Sequence, residues 1–379
     1  MTVVGIDVSA VPDDPRGAGR YVVELVKALD RRGTVELRLQ SRRNDRERWE
    51  SIAPNALVRG VVPASRPLRL AWEQVAAPRF VDSWGIDVFH APHYTMPEIA
   101  RTPKAVTIHD LTYFDHPEWH KRSKVSFFKR AIRVAAQRAD ALVCVSDATA
   151  RRLHDLVDTK ADVHVVPHGL DHDAFKPTAS SDTDNDDDDS TLRAVGVPAA
   201  PFVAFVGTLE PRKDLATLVK AFDVLAATDR DMLLVVAGGK GWGNEPFEKA
   251  VAASAHGDRI IRTGYVPDAA VPALFRHAKA VVYPALEEGF GLPVIEALAC
   301  GAPTITTAGS VMDELAGGAA FTIPPSDAAA LAEVLRTVLV GGGDVERRRA
   351  LGLDVAKLFT WDASAAGHEA VYEAVASRR

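Results

Sequence analysis

The chain has 379 residues, of which 47% are hydrophobic and 25% charged, and its formal net charge is −6 at pH 7. A chain of this length is too long to fold around one hydrophobic core of ordinary size. The length therefore predicts two domains of roughly 150–200 residues each. The composition is that of a globular protein and excludes wholesale disorder. The negative charge argues against nucleic acid as the main partner. Cys144 and Cys300 lie in apolar segments and predict buried free thiols.

No segment of the chain predicts secretion or membrane insertion. The first residues, MTVVGIDVSAV, lack the basic region and long apolar core of a signal peptide. No run of about 18 uncharged apolar residues occurs, as a spanning helix would need. We therefore expect a cytoplasmic protein, which can still contact the inner face of a membrane.

Short apolar runs alternate with longer amphipathic segments over residues 1–178. In chain order the segments are VVGIDV, GRYVVELVKALDRR, VELRLQ, IDVFHA, KAVTIHD, FFKRAIRVAAQRAD, ALVCVSD and DVHVVPHG. Strands that are apolar on both faces and separated by helices predict a parallel sheet with helices on both sides. The N-terminal domain is therefore an α/β, Rossmann-like domain.

The segment 179–200 interrupts this alternation. It is rich in Asp, Ser and Thr, has almost nothing to bury, and predicts a solvated acidic linker or loop. Its residues 182–186 contain Asp-x-Asp patterns, which some nucleotide-sugar enzymes use to bind metal. A metal site needs a rigid scaffold around its oxygens, so we expect no metal here.

The alternation restarts over residues 201–358 and predicts a second domain of the same class. Its segments are PFVAFVG, DLATLVKAFDVLAA, MLLVVAGG, EPFEKAVAASA, RIIRTGYV, AAVPALFRHA, KAVVYPA, PVIEALACG, APTITTA and LAEVLRTVL. Two doubly wound sheets in series place a shared ligand beyond the carboxyl ends of their strands, in a central cleft. Residues 359–379 predict a final amphipathic helix.

The loop after the first strand of the second domain carries two adjacent cations. In VGTLEPRKDLATLV, Arg212 and Lys213 precede a helix that Asp214 is predicted to cap. Cations at a helix start, where N–H groups point outward, suit a diphosphate. Taken alone, an Arg-Lys pair in a surface loop is more often solvated charge.

The stretch EEGFGLPVIEALACGAP combines carboxylates with glycines. Pro293 and Gly301 predict a helix over 293–300, with Glu296 in its first turn and Glu288 in the loop before it. Glycines let backbone amides approach an anion, while the carboxylates suit hydroxyl groups, so a sugar nucleotide fits both. The helix dipole alone can also explain an acid in a first turn.

His109 follows the strand KAVTI and therefore faces the expected cleft, in the sequence IHD. A lone histidine is more often structural, but a strand end is a plausible polar site. Asp110 either orients this histidine or caps the next helix.

These motifs resemble the retaining glycosyltransferases of family 4, which have the GT-B architecture of two Rossmann-like domains facing a cleft. The strongest match is the Glu-x7-Glu pattern of Glu288 and Glu296, and GTLEPRKDL, RGAGRYVVELVKAL and FTWDASA…VYEAV match as well. Many relatives carry a second glycine where this chain has Arg16. The resemblance covers essentially the whole chain and implies that the last helix crosses back to the N-terminal domain.

The resemblance also implies roles for the residues of the second domain. Glu296 would bind the ribose hydroxyls and Glu288 the donor sugar, while Lys213 and Arg212 would neutralise the diphosphate. Thr208, at the position where relatives carry a second arginine, would belong to the same donor site.

Backbone amides and the first domain would complete the site by the same resemblance. The amides of Phe290, Gly291 and Leu292 would meet the β-phosphate, and Gly17 would approach it from the other domain. His109 would lie by the donor sugar at the reaction centre. The family's usual reaction is front-face substitution with retention, and it needs no cofactor or metal.

The donor and acceptor follow from the resemblance less directly. The motifs look most like mannosyltransferases of polysaccharides or lipid-linked glycans, which implies GDP-mannose, with a UDP-sugar such as UDP-glucose as the alternative. The basic stretch 120–139, with Phe127 and Phe128, can rest on an anionic membrane and present a lipid-linked acceptor. Alternatively, this stretch forms a helix with a solvated basic face and with its aromatic side chains in the core.

Three other classes remain as alternatives. An NAD-dependent oxidoreductase should show Gly-x-Gly-x-x-Gly directly after a first strand, and neither domain does. A GT-B phosphorylase or inverting transferase would share the fold. A non-catalytic scaffold that binds sugar nucleotides predicts broken motifs, whereas Glu288, Glu296, Lys213 and His109 are all present.

Overall fold

The computed structural model describes residues 1–178 and 182–378, without the side chains of residues 182–185. The chain forms two compact units. Unit 1 comprises Met1–Gly169 and Phe359–Arg379, and unit 2 comprises Leu170–Leu358. Residues 170–178 thus belong with unit 2, not with the N-terminal domain as predicted. The reason is packing, since Phe175 is buried and its ring lies 6.3 Å from that of Phe275 in unit 2.

Unit 1 is built on one parallel sheet in the part of it that the structure describes. Its strands are β1 Val3–Asp7, β2 Glu36–Arg42, β3 Leu57–Val62, β4 Val88–Ala91, β5 Lys104–Ile108, β6 Ala141–Cys144 and β7 Asp162–Val165. Its helices are α1 Ala18–Arg32, α2 Arg46–Ile52, α3 Arg66–Val75, α4 Ala77–Ser83, α5 Thr112–Asp115, α6 Arg122–Arg138, α7 Asp147–Leu156 and, at the end of the chain, α16 Trp361–Ala376.

The strand order of this sheet is β3-β2-β1-β4-β5-β6-β7. The order reverses between β1 and β4, where Val4 pairs with Leu37 on one side and with Val88 on the other. Ligands of doubly wound sheets bind outside the carboxyl ends of the strands at such a switch point. The residues that follow β1, β4 and β5 therefore lie at the edge of unit 1 where a ligand is expected.

The C-terminal helix α16 is part of the core of unit 1, because Trp361, Val371 and Tyr372 are buried in it. Gly169 meets the start of this helix so closely that a Cβ there would lie 2.2 Å from the backbone nitrogen of Trp361. Arg32 of α1 adds an ion pair to Glu369, with 3.0 Å between Nε and Oε1. The last helix of the chain therefore completes the N-terminal fold.

A buried hydrogen-bond chain joins α16 to the sheet, and its proton order follows from the partners. His368 Nδ1 must donate to the Ser364 carbonyl at 2.8 Å, so its Nε2 accepts from the Tyr21 hydroxyl at 2.8 Å. Tyr21 then accepts from Thr107 at 3.0 Å, and Thr107 accepts from His90 Nε2 at 2.8 Å. The Tyr372 hydroxyl donates to His90 Nδ1 at 2.7 Å and begins the chain. In this order each histidine donates through one ring nitrogen and accepts through the other, which is the neutral form that burial favours by lowering the pKa of both rings.

Acid is expected to lower the free energy of unfolding of unit 1, because these buried histidines are neutral in the folded state. Burial lowers the pKa of His368 from 6.5 to about 4. Between these values the unfolded chain binds a proton that the folded chain does not, so stability falls as pH drops from about 6.5 towards 4 and is fully present above that range. At pH 5.5 the loss from His368 is about 1.4 kcal/mol.

Urea unfolding at about pH 7.5 and 5.5, for the wild type and His368→Gln, measures this loss. Glu73 acts in the opposite sense over this range, because burial raises its pKa to about 7, but it is present in both proteins and cancels in the comparison. The wild type should lose about 1.4 kcal/mol more than the variant on acidification. Equal changes in the two proteins would show that His368 does not contribute.

Unit 2 contains a second parallel sheet in its described residues. Its strands are β8 Phe202–Val206, β9 Leu233–Ala237, β10 Ile260–Gly264, β11 Ala280–Tyr283, β12 Thr304–Thr307 and β13 Phe321–Ile323, in the order β10-β9-β8-β11-β12-β13. Its helices are α8 Asp182–Ala194, α9 Leu215–Ala226, α10 Glu245–Ala253, α11 Val271–His277, α12 Leu292–Ala299, α13 Val311–Ala316, α14 Ala328–Val340 and α15 Gly343–Ala356. The switch point lies between β8 and β11. Both units therefore have the predicted Rossmann-like architecture.

The acidic segment differs from its prediction as a linker or loop. From Asp182 onward it forms α8, and residues 179–181 lie outside the described residues. Asp188 is buried and accepts from Arg276 Nε at 2.6 Å, and Leu192 is buried on the same helix. The prediction was wrong here because one aspartate of the run has a buried cationic partner, which composition does not reveal.

Two further predictions concern the cysteines and membrane insertion. Cys144 and Cys300 are buried free thiols, as predicted, and burial raises the pKa of each to about 12. Among the helices of the described residues, none combines the length and the apolar character that crossing a bilayer requires.

Candidate functional site

Two loops of unit 2 carry most of the predicted site residues. The first follows β8 and contains Thr208 and a short 3-10 helix, Pro211–Lys213. The second follows β11 and contains Glu288. Because β8 and β11 are neighbours in the sheet, both loops leave it at the switch point. The backbone joins them as well, since the Leu286 N–H donates to the Arg212 carbonyl at 2.7 Å.

Glu288 is the centre of an ion cluster between these loops. Its Oε1 accepts from Lys213 Nζ and its Oε2 from Arg212 Nη1. The Tyr283 hydroxyl, at the end of β11, lies 3.0 Å from Oε1. Arg212 Nε also donates to Glu210 Oε2 at 2.8 Å. The structure therefore brings together Arg212, Lys213 and Glu288, which the sequence analysis selected independently.

Burial makes this cluster stiff and electrostatically strong. Lys213 is only 5% exposed, and the Glu288 side chain is 10% exposed. Charges removed from water in this way are costly unless they are paired and hydrogen-bonded. The two cations are thus held in place before any ligand arrives, which is what stabilising a diphosphate requires.

Sequence reasoning missed Tyr283 and Glu210. Burial holds the pKa of the Tyr283 phenol above its ordinary value, so the hydroxyl stays protonated and can donate to Glu288. The Lys213 ammonium also lies 4.7 Å from the centre of the Tyr283 ring. The only available signal was position, since Tyr283 ends a strand at the ligand edge and Glu210 shares the loop of Arg212.

Asp214 lies at the N-cap position of α9 but does not cap it as predicted. Its carboxylate accepts no backbone N–H of the helix. It accepts instead from the hydroxyl groups of Thr217 at 2.8 Å and Ser326 at 2.7 Å. The left-handed backbone of Asp214, with φ of 47°, turns the chain from the 3-10 helix into α9.

Gly291 allows the second loop to enter its helix. Its φ is +89°, and a Cβ there would lie 2.4 Å from Met312 Cγ, so conformation and space both require glycine. Helix α12 then begins at Leu292, one residue before the prediction, with Pro293 in the first turn. The N–H groups of a helix start attract anions. The amides of Phe290, Gly291 and Leu292 thus lie at the start of α12.

Glu296 lies in the second turn of α12, not in the first as predicted, because the helix begins at Leu292. The interaction of a charge with the helix dipole falls off within the first turn, so the dipole does not account for this acid. Glu296 is 4% exposed and is flanked by buried Ile295 and Ala297. Its carboxylate therefore lies inside the domain, one turn after the loop that carries Glu288.

In unit 1, His109 follows β5 and is half-buried among aromatic rings. Its Nε2 lies 2.8 Å from the Pro92 carbonyl, so Nε2 carries the proton and Nδ1 is the acceptor of the neutral ring. Burial lowers its pKa, which the hydrogen bond to Pro92 and the charge of Asp110 only partly offset. His109 is therefore a neutral imidazole whose Nδ1 can accept a hydrogen bond.

Asp110 serves the next helix, which is one of the two roles left open. Its Oδ1 accepts from the backbone N–H of Thr112 at 3.1 Å and from the Thr112 hydroxyl at 2.7 Å. Thr112 is the first residue of α5. The carboxylate therefore fixes the start of that helix.

Gly17 lies at the N-cap position of α1, with φ of 50° and ψ of −119°, and a Cβ built on it would meet nothing within 4 Å. Tyr21, one turn later, donates its N–H to the Gly17 carbonyl at 3.0 Å. The Tyr21 ring lies 5.2 Å from that of His109. Gly17 and His109 are thus linked within unit 1 through Tyr21.

Comparison with known proteins identifies the family. Residues 193–352 match the model of glycosyl transferases group 1, and residues 15–174 match the model of glycosyltransferase family 4. An O-antigen chain mannosyltransferase B of Escherichia coli is 28% identical over 277 residues, which cover 73% of this chain and 71% of that protein. A D-inositol 3-phosphate glycosyltransferase of Jonesia denitrificans is 28% identical over 95% of this chain and 91% of its own.

Solved structures show the same fold. Alr3699/HepE of Anabaena, in complex with UDP and glucose, superposes with a TM-score of 0.75 over 100% of both chains, at 17% sequence identity. At this identity the likeness concerns the fold. Because glycosyltransferase models match both halves, the chain belongs to family 4 of the retaining glycosyltransferases, has the GT-B fold and is a hexosyltransferase.

Proposed function

We propose that this chain transfers mannose from GDP-mannose to a hydroxyl group of a glycan or lipid-linked acceptor, with retention of anomeric configuration and without a metal. The observation that supports transfer from a diphosphate donor is the buried cluster of Arg212, Lys213 and Glu288 at the switch point of unit 2. Mannose is supported by the name of the Escherichia coli relative, an O-antigen chain mannosyltransferase.

In the proposed reaction the bond between the anomeric carbon and the β-phosphate oxygen breaks. The acceptor oxygen bonds to the same face of that carbon, and its proton passes to the departing phosphate oxygen. Negative charge develops on the diphosphate, where Lys213, Arg212 and the amides at the start of α12 stabilise it. The side chains thus act through charge and orientation, with no covalent intermediate.

In this proposal the carboxylates bind the hydroxyl groups of the donor. Glu296 binds the ribose, and Glu288 moves part of its hydrogen bonding from the cations to the donor sugar when the diphosphate arrives. Thr208 lies at the start of the same loop as the cations. Gly17 and His109 of unit 1 are proposed to contact the phosphate and the sugar, with His109 Nδ1 accepting from a sugar hydroxyl.

Slow donor hydrolysis without an acceptor tests the donor and the stereochemistry together. We expect the protein to release GDP from GDP-mannose, and to do so at least about tenfold faster than UDP from UDP-glucose. Proton NMR of the first mannose released should show the α-anomer, as retention requires. If only UDP-glucose is hydrolysed, the donor is a UDP-sugar. This is the main alternative, because the similar Anabaena structure contains UDP and glucose. Release of β-mannose would contradict retention.

Contact with the membrane through residues 120–139 is a further part of the proposal. Helix α6 exposes Arg122, Lys124 and Arg133, which suit an anionic surface. Phe128 is buried and can take no part, whereas Phe127 is 36% exposed. The wild type should sediment with vesicles of anionic phospholipid. A triple variant in which these three cations are replaced by glutamine should stay in the supernatant. Equal binding of the two proteins would refute the contact.

A further inference from the structure

A cavity of about 70 Å³ lies in unit 1 between α3 and α6. Its wall combines the apolar side chains of Leu70, Met96 and Phe127 with the polar side chains of Glu73 and Thr95. This volume has room for about five water molecules, or for the hydroxyl-bearing edge of one sugar ring. None of the donor-site residues described above lines this cavity.

Glu73 is held in the cavity wall by two donors. Its Oε2 accepts from the Thr95 hydroxyl at 2.7 Å and its Oε1 from Gln74 Nε2 at 2.8 Å. Gln74 is fixed in turn by the Met96 carbonyl, 2.9 Å from the same Nε2. Burial raises the pKa of Glu73 to about 7, so the group is a carboxylate above that pH. Each carboxylate oxygen can accept a second hydrogen bond, so Glu73 then has acceptor capacity while its orientation is fixed.

The charges around the cavity disfavour an anionic ligand. Glu98 lies in its wall and is paired with Arg130, 2.9 Å between Nη2 and Oε2. Arg69, a cation that acts on Glu73, donates to the Ser9 carbonyl at 3.1 Å and is also attracted by Asp7. The described residues of the wall thus include two acids, Glu73 and Glu98, and their one cation, Arg130, is paired with Glu98, so a phosphate would meet repulsion.

A neutral sugar ring suits a wall that combines apolar and polar side chains. Its hydroxyl groups donate to carboxylates, and the C–H face of a pyranose packs against an aromatic ring. Phe127 is 36% exposed and offers such a face next to Glu73. The site also lies beside the carboxyl ends of the sheet, because Thr95 follows β4 at the switch point of unit 1.

We propose that this cavity is an acceptor subsite for a neutral sugar residue, which Glu73 binds through hydroxyl groups and Phe127 through packing. The inference rests on the proposed function, since it assigns the acceptor of that transfer. It makes the acceptor an uncharged glycan end, in contrast to the phosphorylated acceptor in the name of the Jonesia relative.

Saturation-transfer NMR with methyl α-D-mannopyranoside as the neutral probe and myo-inositol 1-phosphate as the charged probe tests the subsite. The wild type should bind the neutral probe with a millimolar Kd and the charged probe at least about fivefold more weakly. Phe127→Ala and Glu73→Gln should each raise the Kd of the neutral probe at least about fivefold. Ile99→Ala, which removes an exposed apolar side chain outside the cavity wall, is the matched control and should bind as the wild type does.

Thermal stabilisation by GDP in the same proteins separates the two claims. It should be equal in the wild type and all three variants, which also shows that each is folded. Unchanged neutral-probe binding in Phe127→Ala and Glu73→Gln, or tighter binding of the charged probe, would overturn the subsite while the proposed function stands. Failure of GDP to stabilise the wild type would instead count against the proposed function.

Discussion

Replacing Lys213 with methionine is expected to lower kcat by about 10²–10³-fold, because it removes a buried charge that opposes the developing charge of the diphosphate. Methionine retains the unbranched, apolar part of the side chain and removes only the ammonium group, which lies 4.7 Å from the centre of the Tyr283 ring. The loss should appear in kcat more than in KM, since the interaction strengthens as the bond to the phosphate breaks.

The fold should survive this change, because Glu288 keeps its hydrogen bonds from Arg212 and Tyr283. Lys220→Met, an exposed lysine of α9, is the matched control and should retain full activity. Steady-state kinetics of the three proteins with a common donor and acceptor measure the effect. A Lys213→Met enzyme within about twofold of the wild type would exclude the ion cluster from catalysis.

Glu296→Gln is expected to weaken GDP binding by about 10- to 100-fold, because hydrogen bonds from ribose hydroxyls to a carboxylate contribute about 1.5–3 kcal/mol. Glutamine has the same shape, so the helix should keep its packing. Isothermal titration calorimetry measures the change, with Glu333→Gln, an exposed acid of unit 2, as the control. An unchanged Kd would mean that the buried Glu296 has only a structural role.

The architecture could be predicted because parallel sheets carry a strong signal. Strands such as Phe202–Val206 are apolar on both faces and alternate with helices, so the order of elements follows from hydrophobic runs alone. The loops at the strand ends were predictable for the same reason, since Arg212, Lys213 and Glu288 follow strands that the runs identify. Once the sheet order is known, their meeting at one switch point follows from topology.

Features that depend on a single tertiary partner could not be predicted. The acidic run resembled a solvated loop, whereas the structure gives its helix a buried ion pair between Asp188 and Arg276. Tyr283, at the end of a buried strand, gave no sign of its bond to Glu288. Glu73 was not selected from the sequence, because its partner Thr95 lies 22 positions away in the chain. Local patterns report on periodicity, whereas these contacts are made across the fold.

Thermal stabilisation by GDP, UDP and NAD at equal concentration, in the wild type and in Glu296→Ala, tests the central claim most directly. A ligand that binds only the folded state raises the midpoint of unfolding, and more so the tighter it binds. We predict that GDP stabilises the wild type most and loses most of its effect in the variant. Stabilisation by NAD alone, unaffected by the substitution, would contradict a sugar-nucleotide site in unit 2.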